Sequence, residues 1–579
     1  MTAFFAQVAD IRFSLEAQAG YDDLATLWGE DTADADLVEA MLTEAGRLAN
    51  EVYAPLNHAG DLAGSVLENG VVRLPEGFTE AYRSMAAGGW VGLSFPEELG
   101  GQGLPWSLSL AVSEIFEASS LSLSLVTLLS KGAIEAILHH GTQEQKQTYL
   151  PNMIAGTWSG TMNLTEPQAG TDLARLKSRA ERADDGSYRI TGQKIFITYG
   201  EHEMTENIVH LVLARLPDAP LGVKGISLFI VPKYLPRADG TPGERNDLRV
   251  VSLEKKLGIK ASPTCVMAYG DNGGATGFLV GEEHKGLSCM FTMMNNARIS
   301  VGLQGLAIGE RALQGARAYA AERVQGQRGG QDVTIDQHPD VARTLAWMTA
   351  RTEAARGLVY WTAGCFDRSV GEADKEKAAY NRALFDLMTP VVKSWATDGG
   401  VQVASEGVQL HGGMGFIEET GAAQHYRDAR ILPIYEGTNG VQAIDLVGRK
   451  ISKDGGVVAR ELFKLIDADI AHARESGDTA LADAVAAGLE HLTAATDWVV
   501  ATMAENPDRV LAQATTFQKL FGTVTGAWQM LRQASGAKAR LDSGEGDATW
   551  LEAKRTSADF YMRQELPLAA AMAAIVVGG

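Results

Sequence analysis

The chain has 579 residues, 45% hydrophobic and 21% charged, a globular balance with apolar material for several cores, and its length suggests three to five domains at roughly 100–200 residues each. With 51 Lys+Arg against 72 Asp+Glu the formal net charge is −21, which argues against a protein built to hold nucleic acid or an anionic membrane surface. Three cysteines (Cys265, Cys289, Cys365), with no Cys/His pair at zinc-ligand spacing, exclude a disulfide framework and point to a reducing, cytoplasmic setting with no structural metal.

Taken in chain order, residues 1–10 lack a basic n-region and do not read as a signal peptide. Residues 36–53 space Leu37, Val38, Met41, Leu42, Ala45, Leu48, Ala49 and Val52 along one helix face. The uncharged stretches 118–130 and 566–579 are shorter than the about 20 residues of a membrane span. Both read as buried helix, so no stable span is expected. Thr142-Gln-Glu-Gln145 has the form of a capping box, opening a helix that Pro151 closes.

From about 157 to 285 the texture changes to β-branched and aromatic runs punctuated by Gly and Pro, with Asp184-Asp-Gly186 as a hairpin turn before Tyr188. Long helical patterns return at 299–323, 344–366 and 378–409. They are followed by the glycine-rich Gly412-Gly-Met-Gly-Phe416 and by Pro433-Ile-Tyr-Glu-Gly-Thr-Asn-Gly440. The last block is Ala-rich, helical and itself acidic. This order predicts a helical segment 1–156, a β-domain 157–285, a helical bundle 286–454 and a further helical domain 455–579.

No G-x-S-x-G, H-E-x-x-H, Walker loop or Rossmann fingerprint is present in its proper context. Three clusters remain. In Thr165-Glu-Pro-Gln-Ala-Gly-Thr-Asp172 the Glu-Pro step enforces an extended entry, Gly170 allows close backbone approach, and two threonines offer short donors. In Gln193-Lys-Ile-Phe-Ile-Thr198 strict alternation puts Phe196 and Thr198 on one face, an aromatic wall beside a hydroxyl. In Tyr435-Glu-Gly-Thr438 a carboxylate follows an apolar run. Desolvation there would raise its pKa toward the range a base needs, and Thr438 can cap the helix that follows. Each cluster has an ordinary structural reading too: a capped turn, a half-buried strand, a surface glutamate before a helix.

In this order and frame the three clusters resemble the acyl-CoA dehydrogenase family, over about residues 37–453. Further marks are Gly141-Thr-Gln-Glu-Gln-Lys146, Tyr149-Leu-Pro151, Arg298 and Gln409-Leu-His-Gly-Gly413. The resemblance implies a multidomain α+β fold: a helical N-terminal domain, a central β-domain, a four-helix bundle, and here an extra C-terminal helical domain. It implies FAD, an acyl-CoA substrate and Glu436 as the base that takes the α-proton while a hydride leaves the β-carbon. It implies that Met162, Leu164, Thr165, Phe196 and Thr198 face the flavin, that Thr171 reaches the pyrophosphate or CoA, and that Thr438 belongs with the FAD contacts. Gln409 and Gly413 match the stretch that meets a neighbour's FAD, as does Arg323. The family pattern Arg-x-x-Phe-Gly reads Arg323-Val-Gln-Gly326 here, and Arg328 is the alternative. Arg298 and Gly437 are implied at the substrate.

By the general similarity of the segment 412–449 and by the extra C-terminal block, the chain most resembles the larger bacterial members, such as the 3-(methylthio)propanoyl-CoA dehydrogenases. A thioether chain would suit Met293, Met294 and Met414, although methionine is more often core filling. The implied partners are an electron-transfer flavoprotein as acceptor and a second copy in a dimer or tetramer. An oxidase on the same fold is the alternative. A nucleic-acid-binding flavoprotein would need a basic last block, which this chain lacks.

Overall fold

The computed structural model describes residues 3–29 and 34–579; Met1 and Thr2 of the N-terminal strip lie outside the described residues. The chain divides into two compact units. A sheet unit holds Arg47–Leu104 and Ser119–Ala297, and a bundle unit holds the chain up to Gly46, Pro105–Ala118 and Arg298–Gly579.

The sheet unit is built on β1 (Trp158–Asn163), β2 (Arg179–Arg182), β3 (Tyr188–Thr198), β4 (Asn207–Arg215), β5 (Ile226–Pro232), β6 (Leu248–Leu253), β7 (Thr264–Tyr269) and β8 (Ala275–Val280). Their order is β6-β7-β3-β8-β5-β4-β1, and β2 pairs with both β3 and β4. That double pairing closes the ring β3-β8-β5-β4-β2 into a small barrel. The acidic turn forms as its sequence predicts: the Ala183 N–H donates to Ser187 O at 2.9 Å and joins β2 to β3 antiparallel. β4 is buried over nearly its whole length and β5 throughout, which is why both read as continuous apolar runs instead of alternating ones.

β3 departs from strict alternation. Cys265 pairs Ile197 while Met267 pairs Lys194, so Ile195 and Phe196 together oppose one residue of β7, a β-bulge. The helix Leu121–His140 packs on β1 and is apolar and long enough to cross a membrane, yet two-thirds of it is buried within the protein. The next helix, Gln143–Ile154, carries the reciprocal Thr142/Gln145 capping box. Pro151 does not close this helix. It sits inside the helix, where it forgoes the N–H bond to the carbonyl four residues earlier, and the helix still runs on to Ile154, with the Ala155 N–H donating back to Pro151 O at 3.0 Å.

The bundle unit contains α1 (Trp106–Ser119), α2 (Gly286–Glu322, from Arg298 onward), α3 (Pro339–Gly371), α4 (Lys375–Leu410) and α5 (Asn439–Asp445). The last block adds α6 (Val457–Glu475), α7 (Thr479–Glu505), α8 (Pro507–Ser543), α9 (Ala548–Gln564) and α10 (Leu568–Gly578). α2 and α4 cross where two glycines let backbones touch: a Cβ on Gly305 would lie 2.5 Å from Ala396 O, and one on Gly400 would press into Gly305 O. One core runs from Trp106 and Leu303 through Val391 and Trp395 to Phe463, Trp528 and Val576, so the last block shares its core with the bundle.

Buried ion pairs reinforce that union. Arg356 of α3 binds Glu114 of α1 at 2.8 Å and Glu310 of α2 at 3.0 Å. Lys554 of α9 binds Glu353 of α3 at 2.6 Å and Asp10 of the N-terminal strip at 2.9 Å. One expectation is corrected. The tail is not a buried helix: α10 packs mainly against α7 and α8, burying Ala569, Ala573 and Val576 and leaving Leu568 and Ile575 exposed. α2 and α3 are joined by an exposed hairpin, Val324–Arg328 with Gln331–Thr334, turned by Gly329 and Gly330 at positive φ, in the gap between the helical stretches 299–323 and 344–366.

Candidate active site

In the bundle unit, the segment before α5 winds a tight turn. The N–H groups of Ile434 and Tyr435 donate to Ile431 O at 2.8 and 3.2 Å, and the Asn439 N–H donates to Pro433 O at 3.0 Å. Two consecutive residues then take left-handed backbone, Glu436 at φ 54° and Gly437 at φ 87°. Glycine adopts this freely, and a Cβ there would meet Gln442 Nε2 at 2.7 Å. For Glu436 the same conformation costs about 1–3 kcal/mol and persists only if its surroundings enforce it.

They do. Lys393 Nζ on α4 donates to Gly437 O at 2.9 Å and to Asn439 Oδ1 at 2.8 Å. Gln442 Nε2 donates to Glu436 O and Gly437 O at 3.4 and 3.3 Å. Asn439 Nδ2 is held by Asp398 Oδ1 at 2.8 Å, and Thr438 Oγ1 caps α5 by accepting the Val441 N–H at 3.3 Å. The Tyr435 hydroxyl donates to Gln304, which reaches Glu117 at 3.3 Å.

The Glu436 side chain is half-buried. Loss of hydration raises its carboxyl above the ordinary carboxylate range, against the opposing pull of Arg298 and Lys393. Burial brings Lys393 down to about 7, with Glu436 and Asp398 opposing. Arg298 is buried, pairs with Asp445 at 3.4 Å, and its Nε has no protein acceptor. Among the described residues, nothing accepts from the Glu436 backbone N–H. A strained carboxylate of raised basicity thus stands beside an open N–H donor, a pairing that can take a proton from carbon while hydrogen-bonding an adjacent carbonyl.

In the sheet unit the first two clusters meet. The Ile195 N–H donates to Thr165 O at 2.9 Å and Lys194 Nζ donates to Leu164 O at 3.1 Å. Glu166 and Ala169 exchange N–H···O bonds at 3.0 and 2.9 Å, folding the loop tightly. The Glu166 carboxylate, 3% exposed, accepts from Lys177 N–H (2.7 Å), Ser178 N–H (3.0 Å), Ser178 Oγ (2.6 Å) and Lys194 Nζ (2.9 Å). Burial alone would push it up, but the Lys194 charge and these bonds outweigh burial and bring it to about 2.

The bulge sets Phe196 at φ 61° with 58% of its surface exposed, an aromatic turned outward from a barrel wall. Met162, Leu164, Thr165 and Thr198 are half-buried, and Thr171 is exposed. The hydroxyls of Thr165, Thr171 and Thr198 have no protein partner among the described residues, and a Cβ on Gly170 would meet nothing within 4 Å.

Arg323, Gln409 and Gly413 are exposed. Tyr319 stacks on His411 with ring centroids 4.4 Å apart, which puts the three at one end of the bundle. Arg328 is exposed on the hairpin, its Nη1 donating to Gln337 O at 2.5 Å. Sequence reasoning missed Glu166, Lys194, Gln442 and Lys393 as site-shaping residues. A signal existed for the lysines: each is a lone charge in an apolar run, Lys194 before Ile195-Phe-Ile197 and Lys393 after Val391-Val392.

Four family models cover most of the chain. They are the acyl-CoA dehydrogenase N-terminal domain (residues 38–157), middle domain (161–272) and C-terminal domain (284–451), and an acetyl-CoA dehydrogenase C-terminal-like domain (462–579). The chain belongs to the acyl-CoA dehydrogenase family of oxidoreductases, with the additional C-terminal domain. It is 48% identical over 574 residues to the 3-methylmercaptopropionyl-CoA dehydrogenase of Ruegeria pomeroyi, spanning 97% of this chain and 96% of that one. It is 34% identical over 595 residues to the broad-specificity linear acyl-CoA dehydrogenase FadE5 of Mycobacterium tuberculosis, covering 98% and 96%. Among solved structures, Caenorhabditis elegans ACDH-11 in complex with C11-CoA shares the fold at a TM-score of 0.77 and 21% identity, over 94% of this chain and 90% of that one.

Proposed function

We propose that this protein introduces a trans double bond between the α and β carbons of an acyl-CoA thioester, with FAD as cofactor and Glu436 as the base. The observation that carries this reading is the half-buried Glu436, held in left-handed backbone with its N–H open. Its carboxylate would take the α-proton. Its N–H would hydrogen-bond the thioester carbonyl and so acidify that proton. Arg298 and Gly437 line the same segment.

The sheet-unit residues fit a flavin. The outward Phe196 ring offers a plane, and the hydroxyls of Thr165 and Thr198 have no protein partner to compete for them. Met162 and Leu164 add apolar surface, and Thr171, beside the open Gly170, suits a phosphate. Bound FAD would supply the acceptor for the β-hydride. Arg323 or Arg328, with Gln409 and Gly413, would hold the FAD of a second copy, and Thr438 would add a contact at the base segment.

The acyl group we propose is 3-(methylthio)propanoyl, or another short or medium chain; the likeness to the Ruegeria enzyme supports the first. A homo-oligomer, an electron-transfer flavoprotein as acceptor, a cytoplasmic setting and the four-segment division 1–156, 157–285, 286–454 and 455–579 complete the proposal. The test is turnover of an acyl-CoA panel, from straight short chains to the methylthio thioester, with an artificial electron acceptor. The wild type should turn over one of these thioesters, and Glu436→Gln should keep bound FAD yet lose turnover. Full turnover by that variant would end the reading.

A further inference from the structure

We propose that Lys393 is a positioning residue for the base: it fixes the left-handed segment that carries Glu436 and places a positive charge beside it, touching neither substrate nor cofactor. The inference deepens the reading of Glu436 as proton acceptor and rests on it.

Lys393 is fully buried on α4, amid Val391, Val392 and Trp395. A lysine there has no hydration to lose cheaply, so its position demands compensation. The compensation is two hydrogen bonds to oxygens that flank the strained turn, Gly437 O at 2.9 Å and Asn439 Oδ1 at 2.8 Å. The first fixes the peptide immediately after Glu436. The second fixes the start of α5, and Asn439 is itself tied to α4 through Thr397 Oγ1 at 3.1 Å and Asp398 Oδ1 at 2.8 Å. Lys393 therefore staples the base segment to a bundle helix beside its strained residue, Glu436.

Both acceptors are neutral, so the ammonium charge is not consumed in an ion pair. Arg298 on α2, the other cation acting on Glu436, is engaged by Asp445, which Arg449 also binds at 2.5 Å. The remaining charged or titratable groups that act on the Glu436–Lys393 pair or on its neighbours are Asp398 on α4, Tyr435 in the segment itself and Glu117 on α1. From α8, Gln518 donates to Pro390 O at 2.9 Å, one turn before Lys393. A cation held against a carboxylate favours its ionised form, and burial already brings this lysine down to about 7.

The test uses FAD-loaded full-length protein and the acyl-CoA that the wild type turns over, with kcat and KM followed across about pH 6 to 9. Lys393→Met removes both charge and donor; Lys393→Gln keeps a donor and removes the charge. Expected for Met is a fall in kcat of about tenfold or more with KM changed less than about twofold. In both variants the acid limb of kcat should move to higher pH, because the carboxylate has lost a neighbouring cation. Gln should recover part of the kcat lost in Met. An unmoved acid limb in either folded variant, a change in KM alone, or failure of both variants to fold with FAD would overturn the proposal. If the wild type oxidises no acyl-CoA, or Glu436→Gln turns over normally, it is the proposed function that fails, whatever Lys393 does.

Discussion

Lys194 in the sheet unit and Lys393 in the bundle unit solve similar local problems differently. Each is buried, each donates to a backbone carbonyl, and each stands within three residues of a non-glycine residue at positive φ, or bonds one residue from it: Phe196 at 61° and Glu436 at 54°. Lys194 also faces a dedicated carboxylate, Glu166, at 2.9 Å, inside a closed set of bonds from Ser178 and Lys177. Among the described residues Lys393 donates only to neutral oxygens. A buried pair whose charges cancel makes a rigid strut, suited to holding the loop and strand around Leu164 and Phe196 in place. A buried cation without a dedicated counter-charge leaves its field available to the carboxylate beside it. The difference separates residues that hold shape from residues that also tune chemistry.

The largest effect is expected at the proposed base. Glu436→Gln keeps the shape of the side chain and removes its basicity, so kcat should fall by about 10²–10⁴-fold, with FAD absorbance retained. Next is the strut. Glu166→Ala leaves Lys194 as an uncompensated buried charge, which should cost about 3–5 kcal/mol, read as a lowered melting temperature. Loss of FAD should accompany it, since Leu164 and Thr165 would no longer be fixed. A stable, yellow Glu166→Ala protein would erase the contrast between the two lysines.

The same contrast shows how far the sequence could be read. Tyr435-Glu-Gly-Thr438 was legible because the carboxylate, the glycine that turns the chain and the threonine that caps α5 are adjacent in sequence. The family resemblance added the frame. Lys393 was not legible as a partner, because α4 packing brings it to Gly437, and nothing local to Lys393 announces that carbonyl. Phe196 was read as a wall beside Thr198 by strict alternation along β3, and the structure breaks that alternation at Ile195–Phe196. The bulge that turns it outward depends on pairing with β7, which period-2 alternation along β3 cannot reveal. The α10 tail misled for a related reason: a helix apolar all round looks buried, and only the number of neighbours decides how much of it is.

Acid sharpens the strut further. The Glu166 carboxyl lies at about 2 in the folded protein, below its ordinary 4.5. A depressed carboxyl contributes stability that is complete above its unfolded value and lost as pH falls toward the folded one. The stability advantage of wild type over Glu166→Gln should therefore hold above about pH 4.5 and shrink below it. Melting temperatures of the two proteins across that range test this. An advantage that grows on acidification would contradict the ion pair.

The smallest effect is expected at a cap that belongs to neither lysine. Thr142 Oγ1 accepts the Gln145 N–H at 3.2 Å, Gln145 Oε1 accepts the Thr142 N–H at 3.0 Å, and Gln145 Nε2 also donates to Leu279 O of β8 at 2.8 Å. Thr142→Ala breaks the first bond only and should cost about 1 kcal/mol. Gln145→Ala breaks the reciprocal bond and the tie to the barrel, so it should cost more, although a cap alone predicts the reverse. Neither residue belongs to the segments around Glu436 or Phe196, so kcat should stay at the wild-type value in both. Denaturant unfolding of the pair measures the order. If Thr142→Ala proves the more damaging, the Leu279 contact contributes nothing, and the helix is anchored by its terminus instead of by the sheet.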